Sequence, residues 1–329
     1  MFGLYETGLG SLTFGNILML FIGAGLIYLG IAKKMEPLLL VPIGMGVIMV
    51  NLPFSGLMTY RYEGGWPIPA SGGLKEIAEG KIGVLNLFYH YGIESEVIPL
   101  LIFLGIGALS DFSPAIARPL SFVFGATAQL GVFVVFSLAY ITGLFSISEA
   151  SCVGIIGGSD GPPTVYLTVA KAPHLLGPIT LVAYSYMALV PIIQPPVIRF
   201  MTTMKERQIY MKPVIREVSK LEKIIFPIAV FIVATLLVPG SAPLIGMLMF
   251  GNLLYVTGVT DRLAKSAGGV FVDVLTFTLG ITVGSLMPAE LFLRAKTLLI
   301  IGLAIVAFIF STIGGILGAK VANLCLLYT

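Results

Sequence analysis

The sequence has 329 residues, of which 57% are hydrophobic and only 11% charged, under half the charged share of an ordinary soluble domain. A soluble fold of this length cannot hide so much apolar surface, so the composition excludes a soluble globular enzyme and points to an all-α, polytopic integral membrane protein. The net charge of +3 is modest, no nucleic-acid partner is expected, and the distribution of the charge tells more than its total.

Apolar runs long enough to cross a bilayer core of about 30 Å lie at 13–33, 37–55, 119–143, 175–198, 224–239, 267–287 and 297–319. The first has no basic stretch before it and no small-residue cleavage site after it, so it reads as a retained span and not as a signal peptide. Shorter apolar pieces at 97–110, 147–157, 162–170 and 242–257 suit broken or tilted helices, which membranes tolerate only inside protein or beside water. The polar segment 56–96, with GGWPIPASGG at 64–73, reads as an outer loop without cleft chemistry. Placing the basic loop 199–223 in the cytoplasm puts thirteen of the nineteen Lys and Arg on that side. The positive-inside bias then sets the N-terminus and the 56–96 loop outside a cell membrane crossed many times.

An internal match supports inverted repeats. LGIGALSDFSPAIAR (104–118) lies over LGITVGSLMPAELFLR (279–294) with one inserted residue, aligning Gly105 with Gly280, Ser110 with Ser285 and Arg118 with Arg294 at an offset near 175, and the Pro-Leu start of PLLLVPIGMG (37–46) resembles that of PLIGMLMFGN (243–252) at a different offset. In the predicted topology the two units run in opposite directions, as in many secondary transporters. The predicted organisation is a first repeat over 1–200 with a re-entrant segment at 147–172, a cytoplasmic loop at 201–223, and a second, incomplete repeat over 224–329. Asp160 displaced by the same offset falls beyond Thr329, hence the expectation of incompleteness.

The most informative polar group is Asp160 in GIIGGSDGPPT (154–164). Glycines permit backbone geometry closed to other residues, while Pro162 and Pro163 lack an N–H and stop an incoming helix. Two half-helices meeting at an unwound link are predicted, with free carbonyls of Gly157, Gly158 and Ser159 beside the Asp160 carboxylate as an oxygen pocket for Na⁺. An acid at membrane depth costs ~3 kcal/mol or more, which makes it a functional candidate; the other reading is a turn at the outer boundary. Gly157 to Gly161 also fit the Gly-x-Ser-x-Gly elbow of hydrolases, but that motif needs a strand, a helix and a nearby His. Only His90 and His174 exist, and both read as loop or interface residues.

Further along, Tyr184, Tyr186 and Gln194 sit in LVAYSYMALVPIIQPPVIRF (181–200), where hydroxyl and amide oxygens could coordinate an ion or relay a proton; interface anchoring is the alternative for the tyrosines. Asn252 and Asp273 are weaker candidates, explained equally well by helix-to-helix hydrogen bonding and by solvation. Asp111 either caps the helix that follows it or guards the inner mouth. Cys152 and Cys325 show no ligand or disulfide spacing and read as small buried hydrophobes.

IAKKMEPLLLVPIGMG (31–46), LIFLGIGALSDFSP (101–114), GIIGGSDGPPT (154–164), AYSYMALVPIIQPP (183–196) and FGNLL (250–254) resemble the β subunits of the biotin-dependent, Na⁺-translocating decarboxylases of oxaloacetate, methylmalonyl-CoA and glutaconyl-CoA. The resemblance covers essentially the whole chain. It implies a subunit that receives carboxybiotin at its cytoplasmic face, releases CO₂ with uptake of a proton from outside, and moves Na⁺ outward. Asp160 becomes the Na⁺ ligand and proton-coupled acid, with Tyr184 and Tyr186 along the same path. An oligomeric complex is implied, with a biotin-carrier and carboxyltransferase subunit, on which the choice of acid resides, and a small membrane γ subunit. Two departures stand out: Ser159 and the pair Pro162-Pro163 replace the usual Ala and single Pro, and the chain ends at VANLCLLYT about where a second motif of the Asn-Pro-x-x-Gly-x-Ala-Gly-Val-Ser type begins. A truncated β subunit is therefore expected. A stand-alone Na⁺-coupled or cation/proton carrier is the alternative function.

Overall fold

The computed structural model describes residues 7–63, 66–184, 186–208 and 216–326. Thr13 accepts the Asn16 amide on its side chain while Asn16 answers the Thr13 amide, and this reciprocal cap starts α1 (Phe14–Ala32). α2 (Pro37–Asn51) opens on a proline, whose missing N–H is an orphan at that position anyway. Strands β1 (Tyr60–Glu63) and β2 (Trp66–Pro69) pair antiparallel, so the segment expected as an outer loop contains a hairpin. Buried Asn86 ties it down: its amide donates to the Thr59 and Ala70 carbonyls at 2.8 Å each, and its oxygen accepts from the Thr59 amide.

After the helical stretch Val84–Glu94 the chain bends by 61° into α3 (Val97–Leu109). α4 (Ser121–Ile141), α5 (Ile147–Gly158) and α6 (Gly161–Lys171) follow, then α7 (Leu176–Tyr184) and α8 (Tyr186–Met201). A Ser219–Glu222 capping box begins α9 (Lys220–Leu237). α10 (Pro239–Thr257), α11 (Asp261–Ser285) and the 32-residue α12 (Ala295–Leu326) complete the chain.

Five helices among the described residues are long and apolar enough to cross a membrane, six if the bent pair counts as one span, where the sequence predicted seven runs. The differences have local causes. α2 stops after 15 residues at Asn51, about 22 Å of helix and short of the apolar core, because Asn51 turns to hold the α11 end. The 175–198 run is described as α7 and α8 on either side of residue 185, which lies outside the described residues, and the 224–239 run starts earlier, at Lys220. The short piece at 242–257 gains a turn from Pro239 and becomes a full-length span, and α11 begins at Asp261, with a break in helical geometry at Gly269.

Two helix crossings of one kind build the frame. α2 packs on α11 where Gly46 meets the Ile281 carbonyl and the Ser285 amide, and α10 packs on α3 where Gly251 meets the Leu104 carbonyl and the Ala108 amide. Any Cβ at Gly46 or Gly251 would lie 2.3 or 2.0 Å from those carbonyl oxygens, so only glycine permits the approach. The paired partners on α3 and α11 are 177 positions apart, two further along than the match read from the sequence.

Each crossing ends on an asparagine. Asn51 donates to the Met287 carbonyl at 2.9 Å and Asn252 donates to the Ser110 carbonyl at 2.7 Å. A second core, around Val135, Val153, Ile156, Ile179, Ile300 and Phe308, joins α4, α5, α7 and α12.

A candidate cation site at the apex of a broken helix hairpin

Ser146 and Glu149 cap each other's backbone and start α5. Eleven residues after Asp160 the returning arm ends, and His174 beyond it lies 2.8 Å from the Glu149 carboxylate, while the Cys152 thiol reaches the Leu167 carbonyl. The two ends of 147–172 are thus side by side, α5 and α6 run antiparallel, and Asp160 stands at the apex. Lys296 at the start of α12 adds a 2.6 Å bond to the same Glu149 oxygen and lies 5.0 Å from the centre of the Phe145 ring. The base of the hairpin is therefore clasped by a nearly buried carboxylate between two basic side chains.

The arms meet as the glycines and prolines dictate. α5 tightens into a 3-10 turn over Ile155–Gly158, Ser159 adopts the left-handed conformation (φ 52°), and α6 opens at Gly161. A left-handed non-glycine costs ~1 kcal/mol or more, which the packing on both sides sustains. Asp160 occupies the N-cap position of α6, yet its side chain makes no capping bond. Pro162 and Pro163 explain this, since they remove two of the donors an N-cap carboxylate ordinarily takes. The Asp160 carbonyl accepts the Thr164 hydroxyl at 2.6 Å, and the carboxylate is left for another partner. It is exposed on the surface of the isolated chain. The break between two helical arms that the glycines and prolines predict is present.

Three further helices close around the apex. Gly157 is buried, its Cα faces the Gly131 and Val132 backbone of α4, and its carbonyl accepts the Ser311 hydroxyl of α12 at 2.6 Å. The Gln129 amide oxygen lies beside Gly158, 3.5 Å from where a Cβ would stand. Buried Tyr184 lays its ring on Gly161, so close that a Cβ there would lie 2.1 Å from the ring. One turn earlier on the same face of α7, Thr180 is fully buried and its hydroxyl finds no partner among the described residues.

Of the sequence-predicted residues, Asp160, Gly157, Gly158, Ser159 and Tyr184 come together. The side chain of Tyr186 lies outside the described residues. Gln194 is exposed on α8 and Asp273 is exposed on α11. Asn252 is 1% exposed and serves α3, as the helix-to-helix reading has it, with its oxygen unpaired among the described residues. Asp111 accepts the Ser113 amide and hydroxyl in a turn one residue before Phe112, the N-cap of the short helix Ser113–Ala117, and those bonds hold its carboxyl below the usual range. The hydrolase elbow is excluded, since a 3-10 turn, not a strand, precedes Ser159.

The sequence reading missed Glu149, Lys296, Ser311, Gln129 and Thr180. A Ser inside FIFST and a Glu at the head of an apolar stretch were the available signals, but both also occur as ordinary caps and back-bonded hydroxyls.

Chemically, the apex offers one carboxylate with neutral carbonyl, amide and hydroxyl oxygens near it. No group of three or more His, Cys, Asp or Glu exists among the described residues, so the donor set suits a hard cation of single charge better than a transition metal.

The fold and this apex define a helical membrane protein of the ion-translocating class, with a discontinuous hairpin at its centre. Residues 15–328 match the family model of the Na⁺-transporting oxaloacetate decarboxylase beta subunit, and the chain belongs to that family. It is 47% identical to the methylmalonyl-CoA decarboxylase subunit beta of Propionigenium modestum, over 97% of this chain and 81% of the relative. Identity to the glutaconyl-CoA decarboxylase subunit beta of Acidaminococcus fermentans is 43%, over 97% and 78%. To the probable oxaloacetate decarboxylase beta chain of Vibrio cholerae it is 40%, over 97% and 82%.

Proposed function

We propose that this subunit carries Na⁺ at the hairpin apex, with Asp160 as the ligand that exchanges the ion for a proton. The observation that carries this reading is the Asp160 carboxylate, left uncapped where two antiparallel half-helices meet. A cation beside a carboxylate favours its ionised form, and its departure favours protonation. That antagonism couples the two ions at one site.

Carboxybiotin from a partner subunit supplies the free energy. Breaking its N–CO₂ bond releases CO₂ and leaves an electron pair on the biotin nitrogen, which takes up one proton. If that proton comes from Asp160, its loss restores the carboxylate for the next Na⁺. A biotin-carrier and carboxyltransferase subunit and a small membrane γ subunit complete the complex. The basic loop 199–223 faces the cytoplasm and the N-terminus lies outside, by the positive-inside bias. In this scheme 1–200 and 224–329 act as inverted units on either side of the loop.

The test is Na⁺ uptake and Na⁺-stimulated decarboxylation by the complex in proteoliposomes. D160N is expected to abolish both, while D160E retains part of each. Na⁺-stimulated turnover surviving in D160N would sink the assignment. A stand-alone carrier is distinguished by the same preparation: it transports Na⁺ without a biotinylated partner.

A further inference from the structure

Ser311 lies in the middle of α12, where a hydroxyl in an apolar helix ordinarily bonds its own backbone four residues back. Its neighbour Thr312 does so, donating to the Phe308 carbonyl at 2.8 Å. Ser311 leaves the helix instead and donates to Gly157 at 2.6 Å, across 154 positions of sequence. The bond is framed by close packing. Gly131 of α4 sits against both partners, so that a Cβ at Gly131 would lie 2.1 Å from the Ser311 hydroxyl and 2.3 Å from the Ala307 carbonyl.

The carbonyl that Ser311 takes is in the last turn of α5, where helix carbonyls run out of backbone partners, and three residues before Asp160. Lys296, at the opposite end of the hairpin, bonds Glu149 from the same helix. Fifteen residues of α12, about 22 Å of helix, thus run along the first arm and grip it at base and tip.

We propose that Ser311 is a positioning residue for the cation site: by anchoring the Gly157 carbonyl to α12 it fixes where the Ser159–Asp160 link stands. This rests on the assignment of Na⁺ to Asp160. The Gly157 carbonyl is then an anchor and not a ligand, and the ion takes its backbone oxygens from Gly158 and Ser159. Losing the anchor loosens the geometry of the site without removing a group that touches the ion, so Na⁺ affinity falls while the chemistry at full occupancy persists.

Two readouts test this on the complex purified from membranes. The first is the Na⁺ concentration for half-maximal decarboxylation; the second is Na⁺ protection of Asp160 against carbodiimide, followed at that residue by mass spectrometry. S311A is expected to raise both half-saturating concentrations by about 5- to 30-fold, with turnover at saturating Na⁺ within about twofold. These values correspond to about 1–2 kcal/mol for one hydrogen bond. S311C keeps the side-chain shape and a weak donor, and is expected to fall between S311A and the native protein.

A native half-saturation value in whichever variant assembles overturns the proposal. So does lowered turnover with unchanged Na⁺ dependence, the signature of a merely structural role. D160N measured in parallel separates the two ideas. If D160N leaves Na⁺ dependence intact, the assignment of Asp160 fails; if D160N abolishes it while S311A matches the native protein, only the role of Ser311 fails.

Discussion

Ser110 and Met287 end their helices at corresponding points, and the carbonyl of each accepts a hydrogen bond from an asparagine on a neighbouring helix, Asn252 in one case and Asn51 in the other. The two asparagines are not equally engaged. Asn51 also donates to Val47 and accepts the Ala289 amide at 2.8 Å, whereas the Asn252 oxygen has no partner among the described residues. Removing Asn51 leaves a buried N–H and a buried C=O unpaired, at ~1–3 kcal/mol each. N51A is therefore expected to cost about 3 kcal/mol or more, and N252A about half that. Chemical unfolding of both variants in mild detergent measures the difference; equal losses would contradict the asymmetry.

Gly161 and Tyr184 form a second testable pair. A methyl group at position 161 collides with the Tyr184 ring, so G161A is expected to displace the ring or bend the apex, and to lower stability by about 1–3 kcal/mol as overpacking does. Truncating the ring removes the obstacle. G161A combined with Y184A is then expected to be more stable than the sum of the single losses predicts, by at least about 1 kcal/mol. Strict additivity in this double-mutant cycle would mean that the two side chains do not meet.

Much of this was legible in the sequence, for identifiable reasons. The break at Asp160 could be read because Gly157, Gly158, Pro162 and Pro163 constrain the backbone whatever surrounds them. The span positions could be read because apolar length is a one-dimensional property. Asn51 was invisible, since an asparagine before Leu52 and Pro53 looks like a turn residue, and its partners Met287 and Ala289 lie more than 230 positions away. The internal match slipped by two residues because Gly105 and Gly107 are alternative anchors in one apolar helix, and only packing against α10 selects Gly107.

The clasp at the hairpin base gives a prediction about charge. Glu149 is 9% exposed and holds both His174 and Lys296. Removing one member of such a group strands the others in a poor environment for charge, whereas replacing both members of a pair can be almost neutral. E149Q and K296M are each expected to destabilise by ~2–3 kcal/mol, and the combined variant by less than their sum. The Gln retains the bond to the Ser146 amide, so any loss reports on charge and not on the cap. A loss in the double variant equal to the sum of the single losses would show that Glu149 and Lys296 are not coupled.

On the basic loop, the short helix Met204–Arg207 opens with a capping box in which Glu206 accepts the Thr203 amide at 2.6 Å and the Thr203 hydroxyl at 3.0 Å. The backbone bond from Thr203, reinforced by Lys320 of α12, holds the Glu206 carboxyl down at about 2, below the ordinary value of about 4.3 for an unfolded chain. A carboxylate lowered by folding stabilises the folded form fully above its unfolded value and loses that contribution as pH falls through its folded value. Protection of the turn is therefore expected to be full above about pH 4.3, to decline progressively below it and to level off only as pH approaches 2. Hydrogen exchange of the Thr203 amide, corrected for the intrinsic rate at each pH, follows this directly. E206Q is expected to lower protection at pH 6 and to abolish the acid step, because its amide cannot ionise. Protection unchanged between pH 6 and pH 2 in the native protein would mean that Thr203 and Lys320 do not engage this carboxylate in the membrane.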